Sequence, residues 1–208
     1  MAHNDGMNYA PEGISRPVVA KGDFPFAAVG LDHGHINGIT QGLIDAGGTL
    51  ELVHDRDPEK AAAFAAQYGG RVAERNEVLQ DASIKMVASA AIPSERGPLG
   101  VEVLGHGKHY ISDKAPFTTT EQLQAAREAV DRTSLTWAVC YSERVQNESA
   151  VHAGALIADG AIGTVLQVIG LGPHRLNAPS RPEWFFQKRY YGGILIDIGS
   201  HQVEQFLS

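Results

Sequence analysis

The sequence predicts an α/β fold, a doubly wound parallel sheet over residues 23–143, followed by an incomplete α/β (α+β) segment over 144–208. Three observations carry this reading. Short apolar runs of strand character alternate with helical patterns as far as Tyr141, which argues for parallel strands joined by helical crossovers. Glycine makes up 23 of the 208 residues, and these glycines close apolar runs without any fixed period, so collagen-like and solenoid architectures are excluded. After Glu143 the alternation gives way to a longer loop rich in Pro, Arg and aromatic residues.

Each element has its own signal. Residues 26–29 form a short apolar run closed by Gly30, the pattern of a buried strand. Ile36, Ile39 and Leu43 then fall at helical spacing within 36–46, and Gly47 with Gly48 stops that helix. Residues 50–53 read as a second strand. Asp57 as N-cap and Pro58 at the first helical position start an Ala-rich helix that runs to Tyr68 and ends at Gly69 and Gly70. A weak strand near Val72, a short helix over 77–80 and an apolar strand over 84–91, closed by Pro93, come next. A helix over 95–104, a strand over 109–112, a helix capped by Thr119 and Thr120 that runs to Arg132, and a strand over 136–141 complete the alternation. Residues 23–143 therefore read as a Rossmann-like domain, preceded by a polar, mobile or loosely docked arm over 1–22.

The remainder reads as a helix over 147–159, the turn Gly160-Ala161-Ile162-Gly163, a strand over 164–171, a loop over 173–191, an apolar run over 194–198 and the beginning of a helix. A unit this small cannot bury its own faces. The second domain is expected to be unfinished: either the chain is a fragment, or the missing surface comes from elsewhere.

Composition excludes several classes of function. Against 24 acidic residues stand 17 basic ones, a net charge of −7 with no basic run, so neither general nucleic-acid binding nor attachment to an anionic membrane is expected. Cys140, the single cysteine, has no internal partner and fits a reducing compartment. The opening residues lack a signal-peptide apolar stretch, and no apolar run approaches the ~18 residues of a membrane span. A cytoplasmic location is the expectation.

The turn Gly30-Leu31-Asp32-His33-Gly34-His35 joins the first strand to the first helix, where backbone N–H groups and the helix dipole can receive a pyrophosphate. The dinucleotide pattern G-x-G-x-x-G would place glycines at 30, 32 and 35, and only Gly30 is in register. A carboxylate at Asp32 costs electrostatic energy beside a pyrophosphate unless it turns away or is paired. His33 and His35 can offset that as donors. Asp55 lies 25 positions after Gly30 at the end of the second strand, where a carboxylate accepts the ribose hydroxyls of an adenosine; it also fits a turn Asp in Asp55-Arg56-Asp57-Pro58. Arg56 can stack on adenine or meet a 2′-phosphate. NAD is favoured over NADP, because an ionised Asp55 repels that phosphate. The His33 and His35 pair supplies two metal ligands with no accompanying carboxylate–histidine motif, so no metal site is expected.

Taken together, Val29-Gly30-Leu31, Asp55, Ala91-Ile92-Pro93, Asp113-Lys114-Ala115-Pro116, Gly160-Ala161-Ile162-Gly163 and the run from Gly192 to His201 resemble, in order and spacing, the Gfo/Idh/MocA oxidoreductases. The resemblance extends from Phe24 to the last residue. It implies an NAD(P)-binding N-terminal domain and a C-terminal domain with a large open sheet. It also implies a sugar, cyclitol or polyol as small-molecule substrate, and a homo-oligomer formed through that sheet. The strand end Ala91, Ile92 and Pro93 would contact the cofactor. The family's Glu-Lys-Pro motif corresponds to Asp113-Lys114, with Ala115 inserted before Pro116, which makes Lys114 the lysine near the nicotinamide and the reacting hydroxyl. Asp197 and His201 match the family's substrate-orienting and proton-transferring pair, and Arg144 matches a basic position facing the cleft.

Elementary chemistry agrees with those roles. Hydride transfer from an alcohol needs a proton acceptor, for which histidine is suited near neutrality, and a cation to stabilise developing oxyanion charge. Asp197 and His201 are four apart, so one helical turn would place them on one face. His174 and Arg175 are candidate substrate contacts, and Trp184-Phe185-Phe186 reads as packing. Plainer readings stand beside these: a solvated strand-end Lys114, a helix cap at Asp197, a surface His201. The functional alternatives are a non-catalytic dinucleotide- or sugar-binding protein and a structural remnant with an uncovered sheet.

Overall fold

The computed structural model describes residues 16–172 and 174–207. Most of the expected arm, residues 1–15, lies outside the described residues. Six strands form one sheet: β1 (Pro25–Val29), β2 (Thr49–His54), β3 (Arg71–Val72), β4 (Met86–Ser89), β5 (His109–Asp113) and β6 (Trp137–Cys140). Their order is β3-β2-β1-β4-β5-β6, and every pairing is parallel. The order reverses between β1 and β4. In a sheet of this kind the crevice beyond the carboxyl ends of those two strands is the place for a ligand.

Both faces of the sheet are covered, so β1 is apolar at every position rather than at alternate ones. Phe26 and Ala28 pack with Ile36, Ile39, Leu50, Val53 and Phe64 on one side. Ala27 and Val29 pack with Val78, Val87, Val103 and Tyr110 on the other. The helices that supply these covers are α1 (His35–Asp45), α2 (Pro58–Tyr68), α3 (Arg75–Gln80), α4 (Pro93–Gly105) and α5 (Thr120–Thr133). Local chemistry sets their ends. Asp57 accepts from the backbone N–H groups of Glu59 and Lys60 at 3.0 and 3.3 Å, capping α2. Thr119 does the same for α5 through Gln122 N–H at 3.3 Å. Pro93 opens α4 rather than closing β4, because a first-turn proline gives up no helical hydrogen bond.

Beyond Cys140 the regular elements of the described residues are helical and include α6 (Ser142–Val145), α7 (Glu148–Ala158), α8 (Lys188–Tyr191), α9 (Ile194–Asp197) and α10 (Gly199–Leu207). Asn147 caps α7 by accepting from Ser149 N–H at 3.1 Å. Two expectations are corrected here. Residues 164–171 are not a strand. Leu166, Ile169 and Leu171 lie 76–92% exposed, and β-propensity makes a strand only where a neighbour completes the ladder. The segment read as a loop, 173–191, is partly folded into helical turns, at Ala178–Ser180, Glu183–Phe186 and α8. No helix among the described residues is long and apolar enough to cross a membrane.

The covering helix α4 lies so close to the sheet that a Cβ on Gly100 would sit 2.2 Å from the Trp137 ring. That ring is wedged edge-on against Tyr110 and tilted on Phe117, so it has little room to withdraw. Gly100→Ala is expected to lower stability by about 1–3 kcal/mol in denaturant melts, since overpacking outweighs the ~1 kcal/mol gained in helix propensity.

Candidate functional site

Two turns meet at the crevice. Gly30 has φ +75°, and a Cβ there would lie 2.7 Å from the Ala91 side chain, so glycine is needed both for the backbone conformation and for the approach. The turn is tied down by hydrogen bonds from Gly30 N–H to His54 O, Ala90 N–H to Gly30 O and His33 N–H to Ala90 O, at 2.9–3.0 Å. Asp55 accepts from Leu31 N–H at 2.6 Å and from Asp57 N–H at 2.9 Å. Asp55 therefore braces both turns, as the turn reading expects, and also lines the adjoining cavity of about 320 Å³, with Gly30, Asp32, Arg56, Ala91 and Glu95.

Asp32 is half-buried, and burial raises its pKa, helped by the nearby Asp55 carboxylate. Its carboxylate faces Arg56 Nη2 at 3.8 Å, and the same guanidinium meets Glu95 at 2.6 Å. Asp32 is thus paired, the condition the sequence set for a phosphate turn. Ile92 stands at the N-cap of α4, and Pro93 is its first residue.

On the other side of the turn, Gly34 and His35 line a smaller cavity of about 160 Å³ with Asp113, Cys140, Ser142 and Gln146. Burial pushes the Cys140 thiol up to about 11, which keeps it an inert thiol at neutral pH. The absence of a carboxylate partner for His33 and His35 is corrected by the fold. The end of β5 carries Asp113 to them, and one ligand atom from each of the three lies within 4.8 Å of the others. The cluster has an internal account. His35 Nδ1 lies 3.0 Å from Asp113 Oδ1, and Arg96 Nη2 donates to Oδ2 at 3.0 Å. Burial alone would raise the Asp113 pKa; the hydrogen bond from His35 and the Arg96 charge outweigh it and hold the carboxyl below its usual range.

Sequence reasoning missed Arg96, which organises this region. It is 1% exposed on α4. Its Nε donates to Ala91 O at 2.6 Å, Nη1 to Lys114 O and to Ala115 O, and Nη2 to Asp113. The Lys114–Ala115 peptide is cis. A signal existed: residues 96, 99, 100 and 103 lie on one helical stripe that is otherwise apolar or glycine, and a charge there has to be paired inside.

Held this way, Lys114 points its amine at α9. Nζ donates to Asp197 Oδ1 at 2.8 Å and to Asp197 O at 2.9 Å, with both side chains less than a tenth exposed. His201 is 3% exposed. Burial and then the Lys114 charge lower its pKa. Lys114, Asp197 and His201 are therefore together, but Asp197 ends α9 and His201 lies in α10, so they do not share a single helical turn. Arg144 Nε meets Glu204 of α10 at 2.5 Å. His174 and Arg175 are exposed, and His174 Nδ1 contacts the Arg175 carbonyl. Trp184 brings its ring to 6.3 Å from that of His33.

Residues 151–208 match the family described as GFO/IDH/MocA C-terminal domain. A crystal structure from Erwinia carotovora atroseptica, named an oxidoreductase, is 45% identical, with a TM-score of 0.84 over 88% of this chain and 56% of that one. The C-terminal part of the chain is thus similar to the GFO/IDH/MocA C-terminal domain. A relative, levoglucosan dehydrogenase of Pseudarthrobacter phenanthrenivorans, is 27% identical over 159 residues, covering 74% of this chain and 40% of that protein. The structure of levoglucosan dehydrogenase in complex with NADH shares the fold, at 23% identity and a TM-score of 0.78 over 88% of this chain and 52% of that one. The chain spans 40–56% of the length of these relatives.

Two outcomes follow from the geometry. Arg96→Met leaves Asp113 buried without its cation and frees three carbonyls, and should cost about 3–5 kcal/mol in urea unfolding. Burial, with His35 next, holds the His33 ring at a pKa of about 4 against its usual 6.5. As pH falls, the unfolded chain takes up that proton first. The stability from a neutral His33 is therefore complete above pH 6.5 and is lost progressively down to about pH 4. Thermal melts through this window should show a shallower pH dependence in His33→Gln than in the parent.

Proposed function

We propose that this chain carries the cofactor site and the reacting groups of an NAD-dependent oxidoreductase that interconverts a hydroxyl and a carbonyl on a sugar, cyclitol or related polyol. The observation that carries the reading is the buried contact of Lys114 with Asp197 beside His201, next to a glycine turn at the reversal point of the sheet. The site fits a dinucleotide: Gly30 and Asp55 line the larger cavity, and Asp32, also in its lining, is paired with Arg56. When bound, a nicotinamide dinucleotide supplies the hydride acceptor or donor.

The chain's own residues do the rest. Lys114, held by Asp197, offers N–H donors to the substrate oxygen and stabilises the charge that grows there. Burial and the Lys114 charge lower the pKa of His201, so at neutral pH its imidazole is unprotonated and ready to take the hydroxyl proton in the oxidative direction. Three carboxylates, Asp32, Asp55 and Glu95, stand around Arg56, and Glu95 already engages its guanidinium. That charge balance disfavours a 2′-phosphate and supports NAD over NADP. The sugar named in a relative supports the substrate class.

Fluorescence titration with NADH and NADPH, followed by a polyol panel read at the NADH absorbance, tests the proposal. NADH is expected to bind more tightly, and Asp55→Ala to narrow the preference. Lys114→Ala and His201→Ala should each lower kcat by about 10²–10⁴-fold with little change in NADH affinity. Binding without turnover across the panel would favour a non-catalytic binding protein, and failure to bind either dinucleotide would remove both readings.

A further inference from the structure

We infer that Glu143 is a positioning residue for His201: its carboxylate holds the proton on Nδ1 and so reserves Nε2 for the substrate proton. The inference rests on the proposed hydride-transfer reading. A neutral imidazole has one donor and one acceptor nitrogen, and whichever nitrogen meets an acceptor keeps the proton. His201 Nδ1 is shut off from solvent and makes no aligned hydrogen bond. It lies 3.0 Å from Glu143 Oε2, so a small side-chain rotation completes the bond.

The other groups facing the ring are already engaged. Asp197 accepts from Lys114, and Asp113 is held by Arg96 and His35. Tyr141 closes one side edge-on, with ring centroids 5.7 Å apart. Glu143 reaches the ring from α6, the turn directly after β6, while its neighbour Arg144 meets Glu204 on the helix that bears His201. Two adjacent residues of α6 thus grip α10, which fixes the register between carboxylate and imidazole. Glu143 was not singled out in the sequence, because a Ser-Glu-Arg turn after a strand gives no sign of a partner 58 residues away.

Glu143→Gln tests this by two independent readouts. NMR titration of the His201 imidazole, assigned against His201→Asn, needs no turnover. Loss of the facing carboxylate is expected to lower the His201 pKa by about one unit and to raise the Nε2–H tautomer fraction. Glu143→Asp, which keeps the charge on a shorter stem, should restore part of both effects. In the oxidative assay Glu143→Gln should lower kcat at least about tenfold with KM unchanged, and move the acid limb of the pH profile down with the His201 titration. Glu143 is half-exposed, so the melting temperature should stay that of the parent. An unchanged His201 titration in Glu143→Gln overturns the inference whether or not the chain transfers hydride. A shifted titration in a chain without turnover upholds the tie between the two residues and counts against the reaction alone.

Discussion

A single buried guanidinium ties the site to the sheet. Arg96 reaches from α4 to the end of β4, to the end of β5 and to the two peptides that follow it. Desolvating that cation is costly, and burial lowers its pKa despite the attraction of Asp113. The cost is offset because its planar fork is matched by a carboxylate and three carbonyl groups that would otherwise be stranded inside the protein. The consequence runs outward. With the backbone at Lys114 pinned, its side chain has a fixed origin, and Asp197 lies within its reach.

The Lys114–Asp197 pair also joins two parts of the chain that share no strand. Among the described residues the sheet ends at Cys140, and the helical segment that follows exposes much of its apolar surface, including Leu195, Phe206 and Leu207. What holds α9 and α10 near β5 and β6 includes charged contacts, Lys114 with Asp197 and Arg144 with Glu204. Charges of opposite sign thus alternate across the site, from Arg96 through Asp113 and Lys114 to Asp197. In a water-poor interior such alternation orients groups more strongly than it stabilises the fold.

The sheet was legible in the sequence because its signals are local. Asp57 followed by Pro58, the glycines at 30, 47 and 69, and the apolar run of β1 each depend on a few adjacent residues, and the structure uses them as read. Residues 164–171 misled for the opposite reason: alternation describes a strand's face, whereas a strand also needs a neighbour, which no local pattern encodes. The site divides the same way. Lys114, Asp197 and His201, which the structure brings together, were singled out through motifs whose order and spacing are distinctive. Arg96 was missed although it interrupts an otherwise uncharged stripe of α4, and the meeting of Asp113 with His33 and His35 was invisible because it crosses the sheet between residues 78 or more positions apart.

Asp55 carries one more implication. Its two carboxylate oxygens are already held by the N–H groups of Leu31 and Asp57, so the rotamer is set when the chain folds. An incoming diol would find an immobilised acceptor and need not arrest a swinging side chain. On the proposed reading, the ordering entropy of recognition is then borne by folding.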